Sequence, residues 1–356
     1  MEKLLFVCES FGGGTFSYLQ ELVSSVSDRY DIYIAHSMRE ETPEDYKSKF
    51  AEDVKFIRLE NFKREIGLVS ELKAATELRR IVKEISPDII HLHSSKAGAI
   101  GRLAVNSKKY KMYYTPHGYS FMMHGAGKLK KSIYYLMEAI CAKTKCTTIS
   151  CSVAEDNITR KLTKRSAVVN NGINTALIDK SIAAAGRDDF DKLTVFSIGR
   201  ICYHKRPEIF NALAEKFPHL DFVWIGDGPE KHLLTAPNIR VTGWLDRMSA
   251  VRIAAGADVF VLPSFSEGLS LSLLESMYLE KVCIVSNVVG NKDVIRTGEN
   301  GFLCDGLEDY VSALEAVSVE ADAEKIESIK KAAKADVCEK YNTEVMKKAY
   351  IDIYSK

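Results

Sequence analysis

Two glutamates eight residues apart, Glu267 and Glu275, lie in the run Val259–Lys281, VFVLPSFSEGLSLSLLESMYLEK. Its apolar start, Val259–Leu262, reads as a strand that ends at Pro263-Ser264, and a helix is expected to open near Gly268. That places Glu267 on a loop at a helix N-terminus. There the backbone N–H groups of Gly268, Leu269 and Ser270 would lack intrahelical partners and face the positive end of the helix dipole, a setting that suits phosphate. Glycine at 268 lets a ligand approach the backbone closely. Eight helical residues span about 12 Å, of the order of the distance between the two sugars of a diphosphate-linked donor, so one carboxylate for each sugar would bracket a diphosphate. The plainer alternative makes Glu267 a helix cap and Glu275 part of a solvated face, with Ser270 and Ser272 as filler.

A second group of candidates follows the apolar run LTVFSIG, which ends in Gly199 and leads to Arg200 and, after ICYH, to Lys205. Two cations after a strand end suit two phosphates and would neutralise charge on a departing nucleoside diphosphate. As exposed loop cations they would do neither. In the first half, Gly12-Gly13-Gly14 follows the first strand and precedes the helix-like Phe16–Val26. Gly13 and Gly14 free the backbone to approach a ligand, but the run is not G-x-G-x-x-G and has no ribose-binding acid to go with it. His117, in YYTPHGYSF, sits just after a strand and before Gly118, on a loop that is either ligand-facing or packed. His91 and His93, in IIHLHSS, are read as pointing to opposite faces of a strand end. That orientation argues against one shared metal and favours a structural role for at least one of them.

The elements that must position these residues are short apolar runs separated by helical stretches. Leu4–Cys8, Ile32–Ala35, Val54–Leu59, Ile89–Leu92, Met112–Thr115, Thr147–Ser150 and Val168–Val169 make up the first half. Leu193–Ile198, Phe222–Ile225, Ile239–Val241, Val259–Leu262 and Val282–Val285 restart the rhythm in the second. Such alternation predicts α/β architecture: two doubly wound, Rossmann-like domains, each with a parallel sheet. Ligands of such sheets bind outside the carboxyl ends of the strands, where two facing domains would form a cleft. The boundaries are 1–170 for the first domain, 171–192 for a polar hinge, 193–340 for the second domain, and 341–356 for a terminal helix that returns to the first.

A length of 356 residues exceeds what one core usually serves, and 46% hydrophobic with 27% charged residues is the balance of an ordinary globular protein. Eight cysteines without C-x-x-C spacing fit reduced thiols in the cytosol better than a zinc site. The five-residue apolar run near the N-terminus is too short for a signal peptide or a membrane span. Residues 91–170 hold 14 basic against 3 acidic side chains, a local charge of +11, although the whole chain carries only +1.

The order SIGR…K, FVWIGDGPE, VTGW, LPSFSEGLSLSLLE, SNVVGNKDVI and GENGFL, from Ser197 to Leu303, resembles the donor-binding half of retaining GT-B glycosyltransferases, particularly the large bacterial family four. The Glu267-x7-Glu275 pair matches that family's E-x7-E in spacing and in the intervening Gly268. The resemblance implies a metal-independent transferase with no cofactor that takes a sugar from a nucleotide-diphosphate donor, UDP-linked by the commonest pattern. Its implied partner is a saccharide or polyprenyl-linked acceptor of bacterial surface polysaccharide, and nucleic acid is not among the partners. It also implies Glu267 and His117 beside the transferred sugar, Glu275 on the ribose, and Arg200 and Lys205 on the diphosphate. The Gly13–Gly14 loop would then reach the donor phosphate, and Trp244 would border the base. One departure is Gly290-Asn291-Lys292-Asp293, where many members carry Gly-Gly-x-x-Glu, which leaves the sugar open.

Asp189-Phe190-Asp191 has the form that metal-dependent sugar transferases use, but it lies before a strand, in the polar hinge, and reads as solvated linker. Gly127–Lys145 surrounds Ile133, Tyr134, Leu136, Met137 and Ile140 with lysines. That composition suits either a helix lying on an anionic membrane, at the inner face of the cell membrane, or a helix packed on its own sheet. Two rival functions share this architecture: a nucleotide-sugar epimerase, and a silent nucleotide-sugar-binding subunit.

Overall fold

The computed structural model describes residues 1–63, 67–318 and 323–356. Met1–Asn171 together with Met346–Lys356 form one compact unit, and Gly172–Val345 form a second.

The first unit runs β1 (Glu2–Cys8), α1 (Gly13–Val26), β2 (Tyr30–His36), β3 (Lys55–Arg58), α2 (Leu68–Ile85), β4 (Ile89–His93), α3 (Ser95–Ala104), β5 (Lys111–Thr115), α4 (Lys128–Cys141), β6 (Thr147–Ser150), α5 (Val153–Leu162) and β7 (Ser166–Val168). Its strands pair in parallel in the order β3-β2-β1-β4-β5-β6-β7. Leu4–Cys8 is buried without a break, as a strand covered on both faces requires. The core beneath joins Leu5, Val7, Ile90 and Leu92 to Leu78, Ile81 and Val82 of α2. At the start of α5 the Ser152 hydroxyl accepts from the Glu155 N–H, the capping arrangement expected of Ser-x-x-Glu.

The second unit runs α6 (Thr175–Ala185), β8 (Thr194–Ile198), α7 (Pro207–Lys216), β9 (Asp221–Ile225), β10 (Ile239–Val241), α8 (Arg247–Gly256), β11 (Val259–Leu262), α9 (Leu271–Tyr278), β12 (Val282–Ser286), α10 (Asn291–Val294), β13 (Phe302–Cys304), α11 (Leu307–Ser318) and α12 (Ala323–Lys340). The strand order is β10-β9-β8-β11-β12-β13, all parallel. Connections run outward from β8 in one direction and from β11 in the other, so the topological switch lies between these two strands.

A final helix, α13 (Thr343–Tyr354), joins the first unit from Met346 onward. Its Tyr350 and Tyr354 are fully buried. The Tyr350 hydroxyl pairs with that of Tyr18, and the Tyr113 hydroxyl donates to the Ile353 carbonyl at 2.8 Å. Three details differ from the sequence pattern. α1 begins at Gly13 and not at Phe16. The 171–192 segment, expected to be hinge, contains α6, started by the Asn174 side chain accepting from the Leu177 N–H and anchored by buried Ile178. Its apolar period is interrupted by buried Ser181, which hid the helix from a hydrophobicity reading. Phe302–Cys304 forms a further strand, β13, which is not among the apolar runs read from the sequence.

Candidate active site

Arg200 and Lys205 follow β8, and Glu267 follows β11, so all three stand at the carboxyl ends of the two strands that flank the switch. That is where doubly wound sheets bind their ligands. Backbone geometry holds the two loops. The N–H of Gly199, at φ +129°, donates to Ile225 O at 2.9 Å, and the Ile201 N–H donates to Asp227 O at 2.8 Å. A Cβ at Gly226 would stand 2.2 Å from the Gly199 carbonyl oxygen, and one at Gly228 would stand 2.2 Å from that of Ile201. The backbones of Gly226 and Gly228 therefore lie directly against those of Gly199 and Ile201. The buried Trp224 indole also donates to Gly199 O at 2.9 Å.

Across the switch, the Phe265 N–H donates to His204 O at 3.0 Å and ties the two loops together. Lys205 Nζ then reaches Glu267 Oε1 at 2.8 Å, with both side chains largely shielded from solvent. Burial by itself would raise the Glu267 pKa. The Lys205 ammonium and His204 outweigh it, and the carboxyl is held below the usual carboxylate range. Glu267 is thus a shielded carboxylate kept ionised by an adjacent cation. Arg200, next to Gly199, is half-buried in the same loop.

The helix after Glu267 begins later than expected. α9 opens at Leu271 with Ser270 as its cap, the Ser270 hydroxyl accepting from the Leu273 N–H at 3.4 Å and lying 2.8 Å from the Ser272 hydroxyl. Gly268 and Leu269 precede the helix, so their N–H groups are not those of its first turn, and Leu269 buries its side chain. The Ser270 hydroxyl competes as the cap and shifts the start to its own position. Glu275 lies on α9 and pairs with Arg247 Nη2 at 2.9 Å. Arg247 was not singled out in the sequence; it opens α8, and nothing local links it to Glu275.

Gly290 completes the loop's support. At φ +88°, its absent Cβ would stand 2.1 Å from Gly268 O and 3.0 Å from Glu267 O. Gly290→Ala is therefore expected to destabilise the protein by more than about 1 kcal/mol, since both the left-handed backbone and the close approach exclude a methyl group. It should also shift the Glu267 loop. A melting curve and a donor titration would show both effects, and a wild-type melting temperature would refute this role for the glycine.

Trp244 is about half exposed (54%) beside Gly243, whose backbone bridges to Gly226. Asp189 and Asp191 are exposed in the loop before β8.

In the first unit, a methyl group added at Gly13 or Gly14 would meet nothing within 4 Å, so open space stands over that turn. His117 adopts φ +54° ahead of Gly118, whose N–H donates to the buried Glu155 carboxylate at 2.8 Å. Both of its ring nitrogens turn inward: Nε2 lies 3.0 Å from His93 Nδ1, and Nδ1 lies 3.7 Å from Cys151 Sγ. Burial pushes its pKa down to about 3, so the ring is neutral.

The His91 and His93 rings are 4.1 Å apart on one face, which corrects the expectation of opposite faces. Residues two apart on a strand share a side, and adjacent ones alternate. His91 bonds Tyr354 at 2.6 Å and Thr115 at 2.8 Å, and burial holds both rings' pKa values well down.

Comparison with known proteins bears on the fold and the family. Residues 5–152 match the model of the Glycosyl transferase 4-like family, and residues 192–318 match that of Glycosyl transferases group 1. The chain is 30% identical over 289 residues, 72% of each chain, to the Escherichia coli UDP-Gal:alpha-D-GlcNAc-diphosphoundecaprenol alpha-1,3-galactosyltransferase. It is 26% identical to the Staphylococcus aureus capsular polysaccharide biosynthesis glycosyltransferase CapM, over 75% of this chain and 73% of that one. Among solved structures it resembles sucrose-phosphate synthase of Thermosynechococcus elongatus, with TM-score 0.83, 16% identity, and 100% and 98% coverage. It also resembles Anabaena HepE in complex with UDP-glucose, with TM-score 0.78, 16% identity and full coverage of both chains. With two parallel Rossmann-like sheets and family matches across both halves, the chain belongs to the GT-B glycosyltransferases of the family-four, group 1 type.

Proposed function

We propose that this glycosyltransferase moves a sugar from a UDP-sugar to a lipid-linked saccharide in bacterial surface polysaccharide synthesis, with retention and without a metal. The observation that carries the reading is the shielded Lys205–Glu267 pair at the switch between β8 and β11. A metal-dependent site needs carboxylates to hold its ion. Here the buried carboxylate already has a cation from the chain, and a second cation, Arg200, stands five residues away in sequence. The UDP and lipid-linked assignments are supported by the donor and acceptor in the name of the E. coli relative.

In the proposed reaction the acceptor hydroxyl oxygen bonds to the anomeric carbon on the face from which the diphosphate departs. The carbon–oxygen bond to the diphosphate breaks, and the hydroxyl proton passes to the departing phosphate oxygen. Lys205 and Arg200 stabilise the charge that grows on that diphosphate, Glu267 orients the sugar, and Glu275 holds the ribose. His117 has both ring nitrogens engaged within the first unit, so placing it beside the transferred sugar requires it to exchange one of these partners.

The test is to incubate UDP-galactose or UDP-glucose with polyprenyl-diphosphate-linked N-acetylglucosamine in EDTA and to read the new linkage by proton NMR. An α-linked disaccharide is expected. A β-linked product, or a product formed only when Mg²⁺ or Mn²⁺ is restored, would contradict the proposal. A changed sugar in the absence of acceptor would mark an epimerase.

A further inference from the structure

The helix α4 is turned inside out. Its acidic residue, Glu138, points into the first unit, where it pairs with the buried Arg102 at 2.7 Å and accepts from the Tyr114 hydroxyl at 2.9 Å. Cys141 is the other buried position on this helix. The large apolar residues face solvent: Leu129 is 77% exposed, Leu136 60%, Ile133 51%, Ile140 43% and Met137 38%. At about 100° per residue these five fall on one stripe. Lys128 and Lys130, both exposed, flank it on either side. Met122 and Met123, just ahead of the helix, are exposed as well.

Ordinary amphipathic packing would bury such a stripe and expose the glutamate. The alternative that α4 packs its apolar residues on its own sheet is therefore excluded by the exposures themselves. The occupant has to be apolar at its centre and negative at its rim. With Glu138 sequestered, α4 offers no outward acid, and it lies within the stretch of residues 91–170 that carries +11. A second copy of this chain would bring the same lysines against each other, which disfavours self-association through this face. A bilayer containing anionic lipid meets both requirements: acyl chains take the stripe, and headgroup phosphates take the lysines. Among the described residues no helix is long and apolar enough to cross a membrane, so the contact is with the surface.

We infer that α4 is a membrane-docking helix that lies in the interface of an anionic bilayer, with Leu129, Ile133 and Leu136 inserted and Lys128 and Lys130 at headgroup level. This inference does not depend on the donor assignment: a protein that bound UDP but no vesicles would lose this inference alone.

The experiment is co-sedimentation of the full chain with vesicles of phosphatidylglycerol and phosphatidylethanolamine, against vesicles of phosphatidylcholine. The wild type is expected to bind the anionic vesicles and to be released by raised salt. Lys128→Gln with Lys130→Gln should weaken binding about twenty-five-fold, since each lysine near an anionic surface contributes about fivefold. Ile133→Glu with Leu136→Glu should weaken it by about a hundredfold or more, as each buried aliphatic side chain contributes roughly tenfold or more. Both variants should keep the wild-type melting temperature, which shows that they fold. Absence of wild-type binding, equal binding to both vesicle types, or unchanged binding in the Ile133/Leu136 variant would overturn the proposal. So would self-association in solution that the same variant abolishes.

Discussion

Lys205→Ala is expected to lower turnover on the order of a hundred- to a thousandfold, the usual loss when one preorganised group that stabilises developing charge is removed. Lys205 has two tasks in the proposed site: neutralising the departing diphosphate and keeping Glu267 ionised from 2.8 Å away. The second leaves a separate signature. The Glu267 carboxyl is now held low because Lys205 and His204 outweigh its burial. Without Lys205 burial prevails, so its pKa rises and the acid limb of the pH–turnover profile moves to higher pH. Stability follows the same sign. A carboxyl with a depressed folded pKa contributes stability above its unfolded pKa and loses it as pH falls through the folded value. The variant loses that contribution and should unfold at a higher pH on acidification. Lys205→Arg, which keeps the charge, should restore the acid limb more fully than the turnover. A turnover within twofold of wild type, or an acid limb moved downward, would remove Lys205 from the reaction.

Glu275→Ala is expected to weaken UDP binding by about ten- to a hundredfold, since a hydrogen bond to a charged group contributes roughly 1.5–3 kcal/mol. Turnover at saturating donor should change far less. Glu275 stands on α9, ion-paired with Arg247 and partly exposed, the state of a carboxylate able to exchange a protein partner for a ribose hydroxyl pair. If it served only to anchor α8 to α9, the variant would lower the melting temperature and leave UDP affinity unchanged. Isothermal titration with UDP and a melting curve on the same sample separate the two roles.

The spacing of the sequence made both sheets readable, because most strands carry a short apolar segment, such as Leu4–Cys8 and Val259–Leu262, and these segments are spaced for helices between them. The site at β8 and β11 was readable for the same reason: Gly199, Arg200 and Lys205 follow one strand end, Glu267 follows another, and strand ends in such sheets are where ligands sit. What stayed hidden depends on partners distant in sequence. Arg247 is 28 residues from Glu275, and no local pattern joins them. The closeness of Gly290 to Gly268 is a backbone contact that composition does not encode. α9 starts at Leu271 because Ser270, and not Glu267, caps it, a contest that hydrophobicity does not register. The His91–His93 orientation was a misreading of strand geometry and not a hidden signal. The 127–145 segment left two readings open because its lysines and apolar residues fit either. The direction of Glu138, buried on Arg102, decides which face points out.

In the proposed site a nucleoside diphosphate binds at the β8–β11 switch without a metal. Calorimetric titration of the wild-type chain with UDP, GDP, ADP and CMP, each in EDTA, tests this directly. Selective binding of UDP in EDTA that Lys205→Ala and Glu275→Ala both weaken is the predicted result. Binding that needs a divalent ion, or UDP affinity that neither substitution changes, would contradict it.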